Sequence, residues 1–286
     1  MNETEIFSLI TAENIKLHAS LQRAKNKSKN TTIIYLHGGG LLYGVRDDLP
    51  ELYINKFLQA GYDFLALDYP LAPESSLDQI FTSAFAMLSY YLNNTDSVFK
   101  LNNNNYVLMG RSAGAYLAFM LCDRLIKNKA RLPAAIISFY GYARLTDSQF
   151  TTPSKHYNQL AKVPDEYIAN IIADGPVTSG PMAERFSLYI KARQEGTWLT
   201  YLCGPEDPAK YSLTDEALRA LPPTILAAAT LDPDVPYRMS KSLLKLIPDS
   251  TLITIYKEVH DFDRDLNDEA GRLAYDEIIE WLEKRV

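Results

Sequence analysis

The stretch that decides the fold is Gly110-Arg111-Ser112-Ala113-Gly114, which lies between an apolar run and an apolar helix-like segment. The run before it covers residues 106–109, and the segment after it covers residues 115–121. A strand that turns at once into a helix through Gly-x-Ser-x-Gly is typical of a nucleophile elbow, in which a strained turn exposes the serine hydroxyl. The pattern therefore predicts that Ser112 is a nucleophile at the carboxyl end of a buried strand, beside a helix amino terminus that favours anions.

A second glycine-rich segment lies upstream, where His37 and three glycines follow the β-rich run Thr31–Leu36. Successive glycines at the end of a strand expose backbone N–H groups that no side chain blocks, and such groups stabilise an oxyanion. The predicted donors are the N–H groups of Gly38, Gly39, Gly40 and Ala113. We expect His37 to brace this loop through hydrogen bonds. The alternative is a glycine-rich turn that only lets the chain reverse.

The general base is predicted by elimination, because the chain contains four histidines. His18 lies in an alternating polar and apolar segment that predicts a peripheral strand, His37 belongs to the glycine loop, and His156 lies in an irregular region. His260 follows residues 251–256, which predict a late strand, and begins a polar loop. A loop after a late strand is where a Ser-His-Asp hydrolase places its base, so we predict this role for His260.

The acid that orients the base is expected between the serine and the histidine in the chain, after a strand. Residues 224–230 predict that strand, and Asp232 follows it directly. A carboxylate there would accept the imidazole N–H and stabilise the imidazolium. Asp234 is the second candidate, although a helix cap before the next helix is the simpler role for it.

Together these motifs resemble those of the hormone-sensitive-lipase-like branch of the α/β-hydrolases, the bacterial esterases with a His-Gly-Gly-Gly loop. The resemblance covers about residues 31–286. It includes Asp68-Tyr69-Pro70-Leu71-Ala72-Pro73-Glu74, which is similar to the family signature Asp-Tyr-Arg-Leu-Ala-Pro-Glu. It implies an α/β-hydrolase fold and a serine carboxylesterase with the triad Ser112, Asp232 and His260.

Three positions depart from the family pattern. Pro70 replaces an arginine, Arg111 replaces the aspartate that usually precedes the nucleophile, and Ala115 lies where a third glycine is common. None of these changes removes a predicted catalytic group. They do weaken any transfer of substrate preference from the family to this chain.

Strands that alternate with helices predict a single α/β domain over residues 1–286, with a mostly parallel sheet and helices on both faces. Residues of about 145–215 break this alternation, and the resemblance implies a small inserted cap there. Its size favours a modest pocket and short-acyl esters. The aromatic residues that could line the pocket are Tyr157, Tyr167, Phe186, Tyr189, Trp198 and Tyr201, although packing is the simpler role for each.

Composition is consistent with an enzyme that acts on small molecules. The chain has 286 residues, 47% of them hydrophobic, and a net charge of −6 without a basic cluster. We therefore expect no nucleic-acid partner, and the two separate cysteines predict no disulfide framework. The polar residues 1–5 and the absence of a long apolar stretch predict a cytoplasmic protein without a membrane partner. We expect no metal or organic cofactor and a small-molecule ester as substrate, and the sequence leaves a homodimer open.

Other functions are compatible with the same motifs. An amidase, a peptidase or an arylformamidase on this fold would use the same triad, because the pocket decides which leaving group is accepted. A ligand-binding receptor derived from a hydrolase, or an interaction protein with a vestigial site, is disfavoured because every triad position is filled. Activity on aryl esters without activity on amides would decide for the esterase.

Overall fold

The computed structural model describes residues 3–103 and 105–286, so the first two residues of the predicted polar amino terminus lie outside the described residues. The described strands are β1 (Glu5–Ile10), β2 (Lys16–Gln22), β3 (Thr31–Leu36), β4 (Asp63–Leu67), β5 (Asn105–Arg111), β6 (Ala135–Phe139), β7 (Thr224–Ala229) and β8 (Ser250–Ile255). The described α-helices are α1 (Glu51–Gln59), α2 (Leu77–Asn94), α3 (Ala113–Lys127), α4 (Asp165–Ala169), α5 (Met182–Glu195), α6 (Trp198–Cys203), α7 (Asp215–Arg219), α8 (Tyr237–Leu246) and α9 (Glu269–Glu283). Over these ranges, no helix combines the length and the apolar character needed to cross a membrane.

The strands form one sheet with the order β1-β2-β4-β3-β5-β6-β7-β8. Neighbouring strands from β4 to β8 in this order are parallel, whereas β2 runs antiparallel to both β1 and β4. Parallel strands place their carboxyl ends at one edge of the sheet. The loops after β3, β5, β7 and β8, which contain the predicted site residues, therefore meet at the same edge.

Alternating side chains along the strands divide the core between the two faces of the sheet. In β3, Ile34 and Leu36 belong to a cluster with residues of α2, α3 and α8. Ile33 and Tyr35 point to the opposite face and belong to a cluster with residues of α1 and α9. Because both faces are covered, the central strands are predominantly apolar rather than alternately polar. This arrangement confirms the predicted fold class, a mostly parallel sheet between two helical layers.

One long connection separates β6 from β7, and we call its residues 140–223 the insert. It contains α4, α5, α6 and α7 and no strand among its residues, all of which the structure describes. Two backbone hydrogen bonds tie it to the loop after β3, from Gly44 N to Gly180 O at 2.6 Å and from Gly180 N to Gly44 O at 2.9 Å. The predicted limits of the cap, residues 145–215, fall within this insert.

Candidate active site

The elbow after β5 has no room for a side chain two residues before or two residues after Ser112. A Cβ atom on Gly110 would lie 2.2 Å from the carbonyl carbon of Gly114, and one on Gly114 would lie 2.1 Å from the carbonyl oxygen of Leu36. Ser112 itself has a φ of 52°, a value that residues with a Cβ rarely adopt. The tight turn and the strained backbone place the hydroxyl at the start of α3, where the sequence predicts a nucleophile.

Three side chains from three loops meet in one hydrogen-bonded row. His260, after β8, has its Nε2 atom 2.9 Å from Ser112 Oγ. Its Nδ1 atom lies 2.7 Å from Asp232 Oδ2, in the loop after β7. The row can pass a proton from the serine hydroxyl to the imidazole while the carboxylate fixes the ring's tautomer and orientation.

Asp232 is held in place by the backbone of its own loop. Its Oδ1 atom accepts N–H groups from Asp234 at 2.8 Å and from Val235 at 2.9 Å, which leaves Oδ2 for the imidazole. The structure therefore brings Asp232, and not the second candidate Asp234, against His260. The helix-cap interpretation of Asp234 is wrong, because α8 begins after Pro236 without a side-chain cap.

The glycine loop packs directly against the nucleophile. A Cβ on Gly38 would lie 3.6 Å from Ser112 Cβ, and Gly39 and Gly40 have φ values of 105° and 60° that favour glycine. Within residues 3–103 and 105–286, no acceptor receives the N–H of the predicted donors Gly38, Gly39, Gly40 and Ala113. Free amides beside a serine hydroxyl are the arrangement that an oxyanion hole requires.

His37 braces this loop, as predicted from the sequence. Its Nδ1 atom lies 2.7 Å from Gly38 O, and its ring stacks on Tyr69 with 4.2 Å between ring centroids. The Tyr69 hydroxyl donates to His37 O at 2.8 Å. Burial lowers the pKa of His37, which favours the neutral ring. Tyr69 lies in the segment that resembles the family signature, so that segment supports the glycine loop from behind.

The electrostatic surroundings of His260 favour its protonated form. Burial alone would lower the pKa of the imidazole, but the charge and hydrogen bond of Asp232, with the charges of Asp234 and Asp261, outweigh burial. Together they raise the pKa of His260 from 6.5 to about 9. A base of this strength readily accepts the serine proton once it is neutral, and the resulting cation is well stabilised.

Arg111 belongs to a buried network that local sequence patterns do not predict. Its guanidinium donates to Asp263 Oδ1 at 3.0 Å and to the hydroxyl of Tyr140 at 2.7 Å. Tyr140 also donates to Asp263 Oδ1 at 2.8 Å, and Tyr275 donates to Asp263 Oδ2 at 3.0 Å. The network joins the elbow to the loop of His260, because Arg111 precedes Ser112 and Asp263 follows His260 by three residues. Arg111 stands out in the sequence because it replaces the family's aspartate. Its partner Asp263 cannot be identified in that way, because it lies 152 residues away in the chain.

Asp234 is the centre of a second buried cluster. Its Oδ2 atom accepts the hydroxyls of Tyr189 at 2.7 Å and of Tyr157 at 3.1 Å, and its Oδ1 atom lies 3.1 Å from the guanidinium of Arg193. All three partners come from the insert. The cluster therefore fastens the insert to the loop of Asp232.

The hydroxyl of Ser112 faces a cavity of about 470 Å³ between the glycine loop, the loops after β7 and β8, and the insert. Of the six aromatic residues that the sequence offers as candidates to line the pocket, Tyr157, Phe186 and Tyr189 line this cavity. The other three, Tyr167, Trp198 and Tyr201, are not among its lining residues. Trp198 instead donates from Nε1 to Gly40 O at 2.9 Å and so supports the glycine loop.

No cluster of three or more His, Cys, Asp or Glu side chains suited to a metal ion occurs in the part of the chain that the structure describes. Both cysteines are buried and unpaired. Burial raises the pKa of the Cys122 thiol to about 12, in keeping with its predicted place in the core.

Comparison with known proteins places this geometry in a family. A family model of the α/β-hydrolase fold matches residues 33–264. The chain is 26% identical over 211 residues to the acetyl esterase of Salmonella dublin, an alignment that covers 72% of this chain and 56% of that protein. It is also 26% identical over 194 residues to a non-reducing polyketide synthase of Aspergillus calidoustus, covering 63% of this chain. The chain spans only 7% of the length of that synthase.

Two solved structures cover nearly the whole chain. A protein from Staphylococcus aureus subsp. aureus Mu50 has a TM-score of 0.87 and 32% identity, covering 98% of this chain and 99% of that one. An α/β-hydrolase superfamily protein from Enterococcus faecalis has a TM-score of 0.85 and 29% identity, covering both chains completely. The match of the family model agrees with the sheet order and with the elbow at Ser112. The chain belongs to the α/β-hydrolase family, in the hormone-sensitive-lipase-like branch that its motifs predict.

Proposed function

We propose that this protein is a serine carboxylesterase that hydrolyses small, short-acyl esters. The observation that carries the proposal is the position of His260, whose two ring nitrogens lie 2.9 Å from Ser112 Oγ and 2.7 Å from Asp232 Oδ2. The free amides of the glycine loop beside Ser112 add the second requirement for acyl transfer. Similarity to an acetyl esterase supports an ester substrate with a small acyl group.

The first half of the proposed reaction forms an acyl-enzyme. Ser112 Oγ attacks the ester carbonyl carbon, and its proton moves to Nε2 of neutral His260. The carbonyl oxygen becomes an oxyanion, for which the proposed donors are the N–H groups of Gly38, Gly39 and Ala113, with Gly40 as a further candidate. In comparable sites, each such donor contributes roughly 3 kcal/mol to transition-state stabilisation. His260 then returns the proton to the leaving alkoxide, and the alcohol departs.

The second half releases the acid. His260 takes a proton from water, the water oxygen attacks the carbonyl carbon of the acyl-Ser112 ester, and the same amides bind the second oxyanion. Collapse of this intermediate breaks the bond to Oγ, which regains its proton from His260. The Asp232 carboxylate keeps its hydrogen bond to His260 and stabilises the imidazolium in both halves.

The short-acyl preference rests on the cavity and on the insert, which we propose to act as a cap through residues 145–215. Tyr189 packs against the glycine loop so closely that a Cβ on Gly40 would lie 2.3 Å from its ring. The hydroxyl of Tyr189 is held by Asp234 at 2.7 Å, so the ring is fixed at both ends. A rigid ring beside the oxyanion donors limits the length of chain that fits there.

Hydrolysis of p-nitrophenyl esters from acetyl to dodecanoyl tests this function, with the wild-type protein beside Ser112→Ala. Ser83→Ala is the matched control, because Ser83 is also buried but lies on α2. We expect turnover that falls with acyl length, disappears in Ser112→Ala and persists in Ser83→Ala. A preference for dodecanoyl over acetyl would overturn the short-acyl proposal. Serine-dependent turnover of p-nitroanilides without turnover of any ester would replace the esterase with an amidase or peptidase.

A further inference from the structure

The groups around the cavity have an excess of negative charge. Among the described residues that line it or bond directly to the lining, six are carboxylates and three are guanidiniums, a net charge of −3 when His260 is neutral. The carboxylates are Asp48, Asp232, Asp234, Glu258, Asp261 and Asp263, and the guanidiniums are Arg111, Arg193 and Arg264. An excess of one sign inside a cavity with low-dielectric walls raises the local concentration of ligands of the opposite sign.

Each guanidinium already has a carboxylate partner, so none contributes an unbalanced positive charge. Arg111 pairs with Asp263 at 3.0 Å, and Arg193 pairs with Asp234 at 3.1 Å. Arg264, at the rim, lies 3.0 Å from Asp261. The unbalanced charge is therefore negative.

Glu258 is the clearest unbalanced carboxylate. It lies two residues before His260, lines the cavity and is exposed. No cation pairs with it within the described ranges of the chain. A cation that enters the cavity would meet this carboxylate without first breaking an ion pair.

The walls of the same cavity are aromatic. Tyr43 and Phe186 lie edge to face with 5.2 Å between ring centroids, and Tyr157 and Tyr189 do so at 5.6 Å. Tyr157 and Tyr189 both donate their hydroxyls to Asp234, which draws electron density into their rings. Electron-rich aromatic rings around a cavity attract ammonium groups, including quaternary ones that form no hydrogen bonds.

We propose that the substrate of this site is a short-chain ester that carries an ammonium group near the ester bond. The proposal rests on the esterase function proposed above and adds the charge class of the substrate. The ammonium group contacts the aromatic wall, and Glu258 and the neighbouring carboxylates supply its counter-charge. The raised pKa of His260 is a separate sign of the same negative surroundings.

A pair of esters of nearly equal shape tests the proposal. Acetylcholine carries a quaternary nitrogen where 3,3-dimethylbutyl acetate has a carbon atom, so the difference in kcat/KM reports the positive charge. We expect acetylcholine to be preferred at least about tenfold at low ionic strength, and less at high ionic strength. A ratio of one or below, with turnover of the neutral ester, would overturn the charge class and leave the esterase intact.

Two variants locate the preference within the cavity. Glu258→Gln and Phe186→Leu should each lower the ratio of the two kcat/KM values severalfold. Glu277→Gln is the matched control, because Glu277 is an exposed carboxylate on α9 and should leave the ratio unchanged. An unchanged ratio in both cavity variants would contradict the proposal.

A binding measurement tests the cation site independently of the esterase function. Calorimetry on Ser112→Ala compares choline with 3,3-dimethylbutanol, and neither measurement needs turnover. Tighter binding of choline would support the cation site even if no ester were hydrolysed. Equal or weaker binding of choline would overturn it.

Discussion

Two buried arginine–aspartate pairs include residues that neighbour the triad in the chain, and they connect different parts of the molecule. Arg111 and Asp263 join the elbow to the histidine loop, with side chains that are 9% and 0% exposed. Arg193 and Asp234 join the insert to the acid loop, with side chains that are 1% and 4% exposed. The pairs are alike in burial and length, but the first lies within the sheet-edge loops and the second reaches out to the insert.

The two arginine–aspartate pairs therefore have different structural roles. The first pair fixes the loops that hold Ser112 and His260, which must keep their separation for proton transfer. The second pair fixes tyrosines that form the wall of the cavity. We therefore expect damage to the first pair to lower kcat and damage to the second to change KM and substrate preference.

The largest effect should come from Asp263→Asn. The substitution leaves Arg111 buried without its closest counter-charge and removes the charge that two tyrosine hydroxyls bond. Breaking a buried pair in this way costs about 4 kcal/mol of unfolding free energy. We also expect kcat for p-nitrophenyl acetate to fall at least about tenfold, since a displacement of 1 Å can cost more than that.

Asp63→Asn is the matched control for this prediction. Asp63 is also a buried carboxylate, with two hydrogen-bond partners where Asp263 has three, but it lies at the amino end of β4, away from the carboxyl ends of the strands. Urea unfolding and steady-state kinetics on both variants should show a loss of stability in each and a loss of kcat only in Asp263→Asn. Equal kcat in Asp263→Asn and the wild type would contradict a positioning role.

Asp234→Asn should have a smaller effect on catalysis. The buried Arg193 loses its counter-charge, which lowers the unfolding free energy by about 3 kcal/mol. Because Tyr157 and Tyr189 then bond a weaker acceptor, we expect KM for p-nitrophenyl acetate to rise severalfold while kcat changes less. A fall in kcat as large as that of Asp263→Asn, without a change in KM, would remove the distinction between the two pairs.

The pH dependence should follow His260. Its pKa of about 9 means that the neutral base becomes more abundant as the pH rises, so kcat/KM should increase between pH 7 and about 9. Asp261→Asn removes a charge that raises this pKa and should move the midpoint to lower pH. A pH–rate profile that is already flat from pH 7 upward would contradict the raised pKa.

The smallest effect should come from Tyr157→Phe. The change removes one hydrogen bond to Asp234 at 3.1 Å, while Tyr189 keeps its shorter bond of 2.7 Å. We expect the unfolding free energy to fall by about 1 kcal/mol, the usual net contribution of one hydrogen bond. A loss as large as that of Asp234→Asn would show that the carboxylate depends on Tyr157 rather than on Arg193.

Much of the fold could be predicted from local patterns. The runs that become β3, β5 and β7 are recognisable in the sequence because parallel strands buried on both faces have few polar residues. The strand β1 was not predicted, because it lies at the edge of the sheet and its side chains alternate between half-buried and exposed. The last helix begins at Glu269, where Asp268 caps it by accepting the N–H of Ala270.

The predicted site residues also came from local patterns, because each follows a recognisable strand. The partners of Arg111 and Asp234 could not be predicted in that way. Asp263 lies 152 residues after Arg111, and Tyr189 lies 45 residues before Asp234. Local sequence rules predict a helix cap for an aspartate in the position of Asp234, whereas its tertiary contacts with the insert decide its role.

The most direct test of the proposed chemistry is covalent labelling of the purified protein with a fluorophosphonate, followed by peptide mass spectrometry and an assay of p-nitrophenyl acetate turnover. We expect one adduct, on Ser112, with loss of turnover in proportion to labelling and no adduct in Ser112→Ala. An adduct on another residue, or full ester turnover after complete labelling of Ser112, would contradict the assignment of Ser112 as the nucleophile.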